Sequence, residues 1–129
     1  MKHLIALLLL GSTHVFAAGL TPSAYVRVQE ALAADDFKTA LTAHKDLCTK
    51  DAKLLGTYKD CQKPFKSVEE LRTSFKALSE VYISQVPSTQ LKGLIKANCP
   101  MASARWIQKE GALRNPYYGK SMLECGEKI

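Results

Sequence analysis

The feature that most constrains this chain is its N-terminus, where a short apolar run follows a positive charge. Lys2 precedes the apolar run Leu4–Leu10, which is much shorter than the about 20 apolar residues that a membrane-spanning helix needs. Small residues follow at Val15 and Ala17. A basic start, a short apolar core and small residues before the cut are typical of a cleavable secretory signal peptide. We therefore predict that residues 1–17 are a signal peptide rather than a retained membrane anchor, and that the mature protein is periplasmic or secreted.

Length and charge limit the number of domains and the kinds of partner that the remaining chain can have. Residues 18–129 are enough for one small domain with a single modest core, and no other segment has the continuous apolar length to span a membrane. The full chain carries a net charge of +6. Its basic residues interleave with acidic ones along the predicted helix faces, so we attribute the charge to solubility and expect no nucleic-acid partner.

Apolar residues recur at helical spacing in three segments. The first begins with the Thr21-Pro22 pair, where Thr is a good cap and Pro is tolerated in the first turn. Gly56 is a natural stop for the second, and Ser67 with Glu70 makes a capping box for the third. The predicted helices are Pro22–Ala34, Asp36–Leu55 and a third from Ser67 to about Val86.

The pattern weakens after Pro87. Residues Leu91–Ile95 fit either a short helix or a strand, and from Cys99 onward turn residues indicate irregular structure with short extended pieces. We therefore predict a mainly α fold for residues 18–129. It would be a small antiparallel bundle of three helices, or four if Leu91–Ala97 is helical, with an irregular C-terminal segment.

Four cysteines lie beyond the signal peptide: Cys48, Cys61, Cys99 and Cys125. An even count in an exported chain fits disulfide bonding, and four cysteines allow three pairings. No pair has the spacing of a redox dithiol or of a haem attachment motif.

Two of these cysteines have a methionine close by. Cys99 is followed by Met101, and Met122 precedes Cys125. Thiolate and thioether are soft donors that select Cu(I) over hard ions, so the two clusters could share one soft metal ion. Two alternatives stand beside this one: the methionines fill the core, or Cys99 and Cys125 form a disulfide that staples the C-terminal tail.

The same segment resembles a known family. The elements Cys-Pro-Met-Ala, Trp106, Arg-Asn-Pro-Tyr-Tyr-Gly and Met-Leu-x-Cys-Gly span Cys99–Gly126. They look like those of a bacterial domain of unknown function, found in small exported proteins and at the C-terminal end of some periplasmic adaptor subunits of copper and heavy-metal efflux pumps. The resemblance implies metal handling, with an efflux adaptor or another envelope protein as partner. Upstream, only the Asp35-Asp36 joint fits the family.

The chain departs from that family in two places. Asn98 stands where members often carry a His, which removes one candidate ligand. Cys48 and Cys61 lie outside the shared pattern, which favours a local disulfide between them.

Other candidate residues have ordinary structural explanations. His44 would be the only His of the mature protein. It lies on the apolar face of the second helix, where a core role is commoner than a ligand role. Trp106, Tyr117 and Tyr118 could line a ligand pocket, cover a Cu(I) ion or pack the C-terminal segment against the helices. The chain has no phosphate loop, nucleophile elbow or zinc-protease helix, so we do not expect an enzyme.

The sequence thus predicts a periplasmic soft-metal binding protein, a chaperone or buffer linked to metal efflux. Its site would hold one Cu(I) ion, and its ligands would be Cys99, Met101, Met122 and Cys125. The alternative is a disulfide-stapled structural or interaction module of the cell envelope that binds no metal.

Overall fold

The computed structural model describes residues 22–129; the predicted signal peptide and the expected Thr21 cap lie outside this range. The helices are α1 (Pro22–Ala33), α2 (Phe37–Lys50) and α3 (Val68–Gln85), and the strands are β1 (Leu94–Cys99), β2 (Ala104–Lys109) and β3 (Glu127–Lys128). Short 3-10 turns cover Ser88–Gln90 and Gly119–Met122.

A tight joint connects α1 to α2, as the sequence predicts. Asp35 adopts a left-handed conformation with φ of 58°. The carboxylate of Asp36 caps α2 by accepting a hydrogen bond from the Thr39 amide at 3.0 Å. This bond satisfies one of the amides that a helix start leaves free.

The second helix is shorter than predicted. Asp51 ends it by donating its amide to Leu47, and residues 51–57 continue as turns. Leu55 is buried nevertheless. Leu55 packs against the core from a turn. The spacing of apolar residues is the same whether such a residue lies in a turn or in a further turn of helix, so the sequence pattern placed the helix end too late.

The third helix matches its predicted bounds closely. The hydroxyl of Ser67 accepts from the Glu70 amide at 3.2 Å, and the Glu70 carboxylate accepts from the Lys66 amide at 2.9 Å. Val86 ends the helix, because Pro87 disfavours helical backbone in the residue before it.

The C-terminal part contains an antiparallel sheet with strand order β2-β1-β3. Leu94 of β1 pairs with Lys109 of β2, and the ladder runs to Cys99 opposite Ala104; β3 pairs with Asn98 through Glu127. The fold is therefore a mixed α+β domain, and the predicted mainly α helical bundle is wrong. The sheet depends on pairing between separate segments, which helical periodicity in single segments does not detect.

The core combines the buried sides of the helices with buried residues of the sheet, among them Ala97, Trp106 and Ile107. Two partly exposed ion pairs also join β2 to the helices: Arg105 with Glu80 of α3, and Lys109 with Glu30 of α1. The buried hydroxyl of Tyr25 lies 2.6 Å from the Ser79 hydroxyl and accepts from the Ile107 amide at 3.2 Å. This tyrosine thus ties the outer edge of β2 to α1 and α3.

The C-terminal segment, residues 110–129, covers the face of the sheet that carries Trp106 and Gln108 and ends in β3, a strand of the same sheet. The Gln108 amide oxygen accepts from the Arg114 amide at 2.9 Å. Trp106, the neighbour of Gln108 on that face, is fully buried and lies under Gly126.

The predicted disulfide between Cys48 and Cys61 is confirmed. It joins α2 to the loop before α3, with the Cα atoms 5.6 Å apart and a sequence separation of 13. Closing a loop of this length stabilises a fold by roughly 3 kcal/mol in the chain-entropy model.

Within residues 22–129, no helix combines the length and apolar character that crossing a membrane requires.

Candidate functional site

The candidate site is a group of sulfur atoms at the end of the β1–β2 hairpin. Cys99, the last residue of β1, is a free and buried thiol. Cys125 is a free, half-buried thiol that contacts the Met101 sulfur at 3.9 Å. The Cys99 thiol lies close enough to Cys125 to raise the pKa of the Cys125 thiol. Three of the four predicted ligand residues, Cys99, Met101 and Cys125, therefore lie together.

The turn between β1 and β2 determines the position of Met101. The Ser103 amide donates to the Pro100 carbonyl at 3.1 Å, and Ser103 has a left-handed φ of 48°. The resulting turn leaves Met101 66% exposed. Met101 is thus not a core methionine, which removes the core-filling alternative for this residue.

Met122 joins the group through the backbone. It ends the 3-10 turn Gly119–Met122, and its carbonyl accepts from the Cys125 amide at 3.1 Å. Its side chain is half-buried. The turn keeps Met122 near Cys125. The thioether that contacts the Cys125 thiol directly is that of Met101.

A buried asparagine positions Cys125. Asn115 is fully buried, and its amide nitrogen donates to the Cys125 carbonyl at 2.7 Å. Its amide oxygen accepts from the Tyr117 backbone at 2.8 Å, while its own backbone amide donates to Leu123 at 2.7 Å. One side chain thus connects the Asn-Pro-Tyr-Tyr turn to the thiol-bearing segment.

Gly126 allows that segment to approach the sheet. A Cβ atom at this position would lie 2.8 Å from the Asn98 carbonyl oxygen and 3.0 Å from the Trp106 ring. A larger residue would push Cys125 away from β1, because native Cβ contacts are longer than these.

A second anchor fixes the C-terminal segment to the helices. Arg72 of α3 donates to the Pro116 carbonyl at 2.9 Å and to the Asp35 carboxylate at 2.5 Å. The same carboxylate accepts from the Lys120 amide at 3.1 Å. The two aspartates of the joint thus have different roles: Asp36 caps α2, whereas Asp35 binds the C-terminal segment.

Two of the aromatic candidates, Trp106 of β2 and Tyr117 of the C-terminal segment, pack against each other and against the fold. Trp106 is fully buried and donates its ring NH to Gln108 at 2.9 Å. The Tyr117 ring meets Trp106 edge-on with the ring centres 6.1 Å apart, and its hydroxyl donates to the Arg105 carbonyl. Burial raises the pKa of Tyr117 above its ordinary value. These contacts hold the segment beside the sulfur group.

The surroundings of Cys125 favour its protonated form. Partial burial and the neighbouring Cys99 thiol raise its pKa above the ordinary value. A soft ion that binds here must therefore displace protons, which couples binding to pH.

Among residues 22–129, no group of three or more His, Cys, Asp or Glu side chains could hold a metal ion as the structure stands. The donors available at this site are two thiols and thioether sulfur.

His44 lies far along the chain from this site and belongs to a buried polar chain in the core. Its Nε2 is 2.7 Å from the Tyr58 hydroxyl, which is 2.5 Å from the Ser74 hydroxyl. Ser74 in turn donates to the Asp60 carboxylate at 2.7 Å. Burial lowers the pKa of His44 and raises that of Tyr58 to about 12. The sequence analysis placed His44 in the core but did not identify this chain, because its members are far apart in sequence.

Comparison of the chain with family models, curated proteins and solved structures finds no match. The resemblance of residues 99–126 to the exported domain family of unknown function therefore stays a prediction.

Proposed function

We propose that this protein is exported and binds one Cu(I) ion at Cys99, Cys125 and Met101, as a chaperone or buffer linked to metal efflux. One observation carries the proposal: Cys125 contacts the Met101 sulfur and lies near Cys99, so three sulfur side chains are close together at the end of the hairpin.

The donor chemistry supports this choice of metal. Cu(I) favours soft thiolate and thioether ligands, whereas hard cations favour oxygen. Two thiolates and one thioether give a soft donor set that carries two negative charges. Met122, the fourth predicted ligand, lies one turn from Cys125 and would complete a four-sulfur set.

The graded exposure of the three sulfur residues supports transfer of the ion rather than permanent storage. Cys99 is buried, Cys125 is half-buried and Met101 is 66% exposed. An incoming partner would meet Met101 first and could replace it without disturbing the buried thiolate. We propose a metal-efflux adaptor or another envelope protein as that partner.

The second candidate is a structural or interaction module in which Cys99 and Cys125 form a disulfide. The proximity of Cys99 to Cys125 favours this candidate as well. Such a bond would fix the C-terminal segment against β1 and would remove both thiolates from the site. The two candidates therefore predict opposite behaviour of the isolated protein toward Cu(I).

The test is competition for Cu(I) against a coloured Cu(I) chelator. The protein keeps the Cys48–Cys61 disulfide, verified by mass spectrometry, while Cys99 and Cys125 are reduced. We expect one equivalent of Cu(I) to be taken from the chelator. Removing a residue that only supports a metal ligand weakens metal binding by up to about 100-fold. Cys99 is a proposed direct ligand, so Cys99→Ser should weaken Cu(I) binding by more than that.

The matched control is the double variant Cys48→Ser and Cys61→Ser, which removes the other two sulfurs and should keep Cu(I) affinity. Met101→Leu and Met122→Leu then show which thioether contributes. If the reduced protein takes no Cu(I), or if Cys99→Ser and the control lose affinity equally, the copper proposal is wrong and the module without metal is favoured.

A further inference from the structure

Three metal-binding side chains converge at a second place, around the disulfide between α2 and the following loop. His44 and Cys48 lie one helical turn apart on α2, with the His44 Nε2 atom 3.9 Å from the Cys48 sulfur. The Cys61 sulfur is bonded to the Cys48 sulfur. All three residues line an open cavity of about 560 Å³.

We propose that reduction of the Cys48–Cys61 disulfide creates a zinc-type metal site whose ligands are His44, Cys48 and Cys61, with the fourth position open to this cavity. In the oxidised protein the disulfide engages both sulfurs. Reduction by a dithiol adds two electrons and two protons, breaks the bond between the sulfurs and leaves two thiols, while the dithiol becomes a disulfide. Binding of a divalent ion then releases both thiol protons.

The geometry suits a tetrahedral ion. Zinc lies about 2.3 Å from thiolate sulfur and about 2.0–2.1 Å from imidazole nitrogen. Neighbouring donors of a tetrahedron with these bond lengths are about 3.5–3.8 Å apart, and the nitrogen of His44 is already 3.9 Å from the Cys48 sulfur. The Cα atoms of the two cysteines are 5.6 Å apart, so both sulfurs can reach one ion with small side-chain rotations.

The charges are also compatible with a partly buried ion. Two thiolates neutralise a divalent cation, so the loaded site would carry no net charge, which limits the penalty for burial. Lys45 and Lys63 line the cavity, and Asp60 is the acidic group that acts on His44.

The buried polar chain opposes metal binding in a defined way. The Asp60 carboxylate can only accept, so Ser74 donates to it, and the single Tyr58 proton must then go to Ser74. His44 therefore donates its Nε2 proton to Tyr58. A metal at Nε2 requires that this proton move to the other ring nitrogen and that the bond to Tyr58 be lost.

The hydrogen bond from His44 to Tyr58 competes with metal binding at Nε2, so removing the Tyr58 hydroxyl should favour the metal. The variant removes the group that binds His44 Nε2 while leaving all three metal ligands in place. Tyr58→Phe should therefore bind the metal more tightly, whereas a residue needed only to hold the loop would weaken binding when altered.

The experiment uses the full mature chain carrying Cys99→Ser and Cys125→Ser, so that the proposed copper site is absent and cannot contribute. The protein is reduced with a phosphine and titrated with Co²⁺, a spectroscopic substitute for Zn²⁺. We expect one equivalent with thiolate charge-transfer and tetrahedral absorption bands, displaced by Zn²⁺ and absent before reduction. Cys61→Ser and His44→Gln in this background should each weaken Co²⁺ binding by at least about tenfold.

Circular dichroism recorded in parallel covers the case in which the reduced protein unfolds. A ligand set that forms only in the folded state transfers its binding energy to folding, so Zn²⁺ should then restore the helical signal. An octahedral spectrum, no binding after reduction, no restoration of structure by Zn²⁺, or unchanged affinity in His44→Gln would each overturn the proposal.

Discussion

Gly119→Ala should disrupt the anchor that holds the C-terminal segment on the helices. Gly119 has a φ of +60°, and a Cβ atom there would lie 2.0 Å from an Asp35 carboxylate oxygen and 2.4 Å from the Arg72 guanidinium. Alanine in left-handed backbone costs about 1–2 kcal/mol. The methyl group must also displace the carboxylate from Arg72 and from the Lys120 amide.

The free-energy cost of breaking the Asp35–Arg72 ion pair depends on how exposed the two side chains are. The Arg72 side chain is 13% exposed and the Asp35 side chain 38%, so we assign about 1 kcal/mol to the ion pair. Loss of the amide bond adds about 1 kcal/mol. The free energy of unfolding should therefore fall by about 3–4 kcal/mol, measured as the shift of the urea midpoint at constant slope.

Gly93→Ala is the matched control. Gly93 has a similar φ of +75°, and a Cβ atom there would meet nothing within 4 Å. This variant should lose only the backbone contribution of about 1–2 kcal/mol. Equal losses in the two variants would show that the Asp35–Arg72 anchor does not stabilise the fold, and that our reasoning about the segment is wrong.

Three further predictions concern stability. Asp36→Ala removes the cap of α2 and should lower the free energy of unfolding by about 1 kcal/mol in urea. Tyr25→Phe leaves the buried Ile107 amide without its partner and should cost about 1–3 kcal/mol by the same measurement. Burial lowers the pKa of His44 below 6.5. The unfolded chain therefore binds this proton first, so the free energy of unfolding should decrease as pH falls below about 6.5. His44→Gln should remove that decrease, and a slope that persists in this variant would exclude His44 as its source.

The helices were predictable because their signals are local. Apolar spacing and caps such as Ser67 and Asp36 lie within a few residues of each other, so a single segment carries the information. The end of α2 was misplaced because Leu55 packs from a turn. The disulfide was predicted because Cys48 and Cys61 lie outside the pattern that residues 99–126 share with the family they resemble.

The sheet was not predictable in the same way. Its strands are short, and β1 has only two fully buried residues, Ala97 and Cys99. The strands are stabilised by contacts with distant parts of the chain, such as the Tyr25 hydroxyl at the Ile107 amide, 82 residues away in sequence. Tertiary contacts of this kind outweigh local propensity.

The site shows the same division between local and distant information. Clustering of Cys99 with Met101 was visible in the sequence, and the structure adds that Cys125 contacts the Met101 sulfur and lies near Cys99. The residues that position Cys125 were not identified. Asn115 was noted only as part of the Arg-Asn-Pro-Tyr-Tyr-Gly element, although it is fully buried and donates to the Cys125 carbonyl.

X-ray absorption at the copper edge of the Cu(I)-loaded protein, with the Cys48–Cys61 disulfide intact, tests the central claim most directly. The account predicts a single Cu(I) ion with sulfur neighbours only, and a smaller number of sulfur neighbours in Met101→Leu, because Met101 contacts Cys125 directly. A coordination shell of nitrogen or oxygen, or a sulfur shell unchanged in Cys99→Ser, would contradict it.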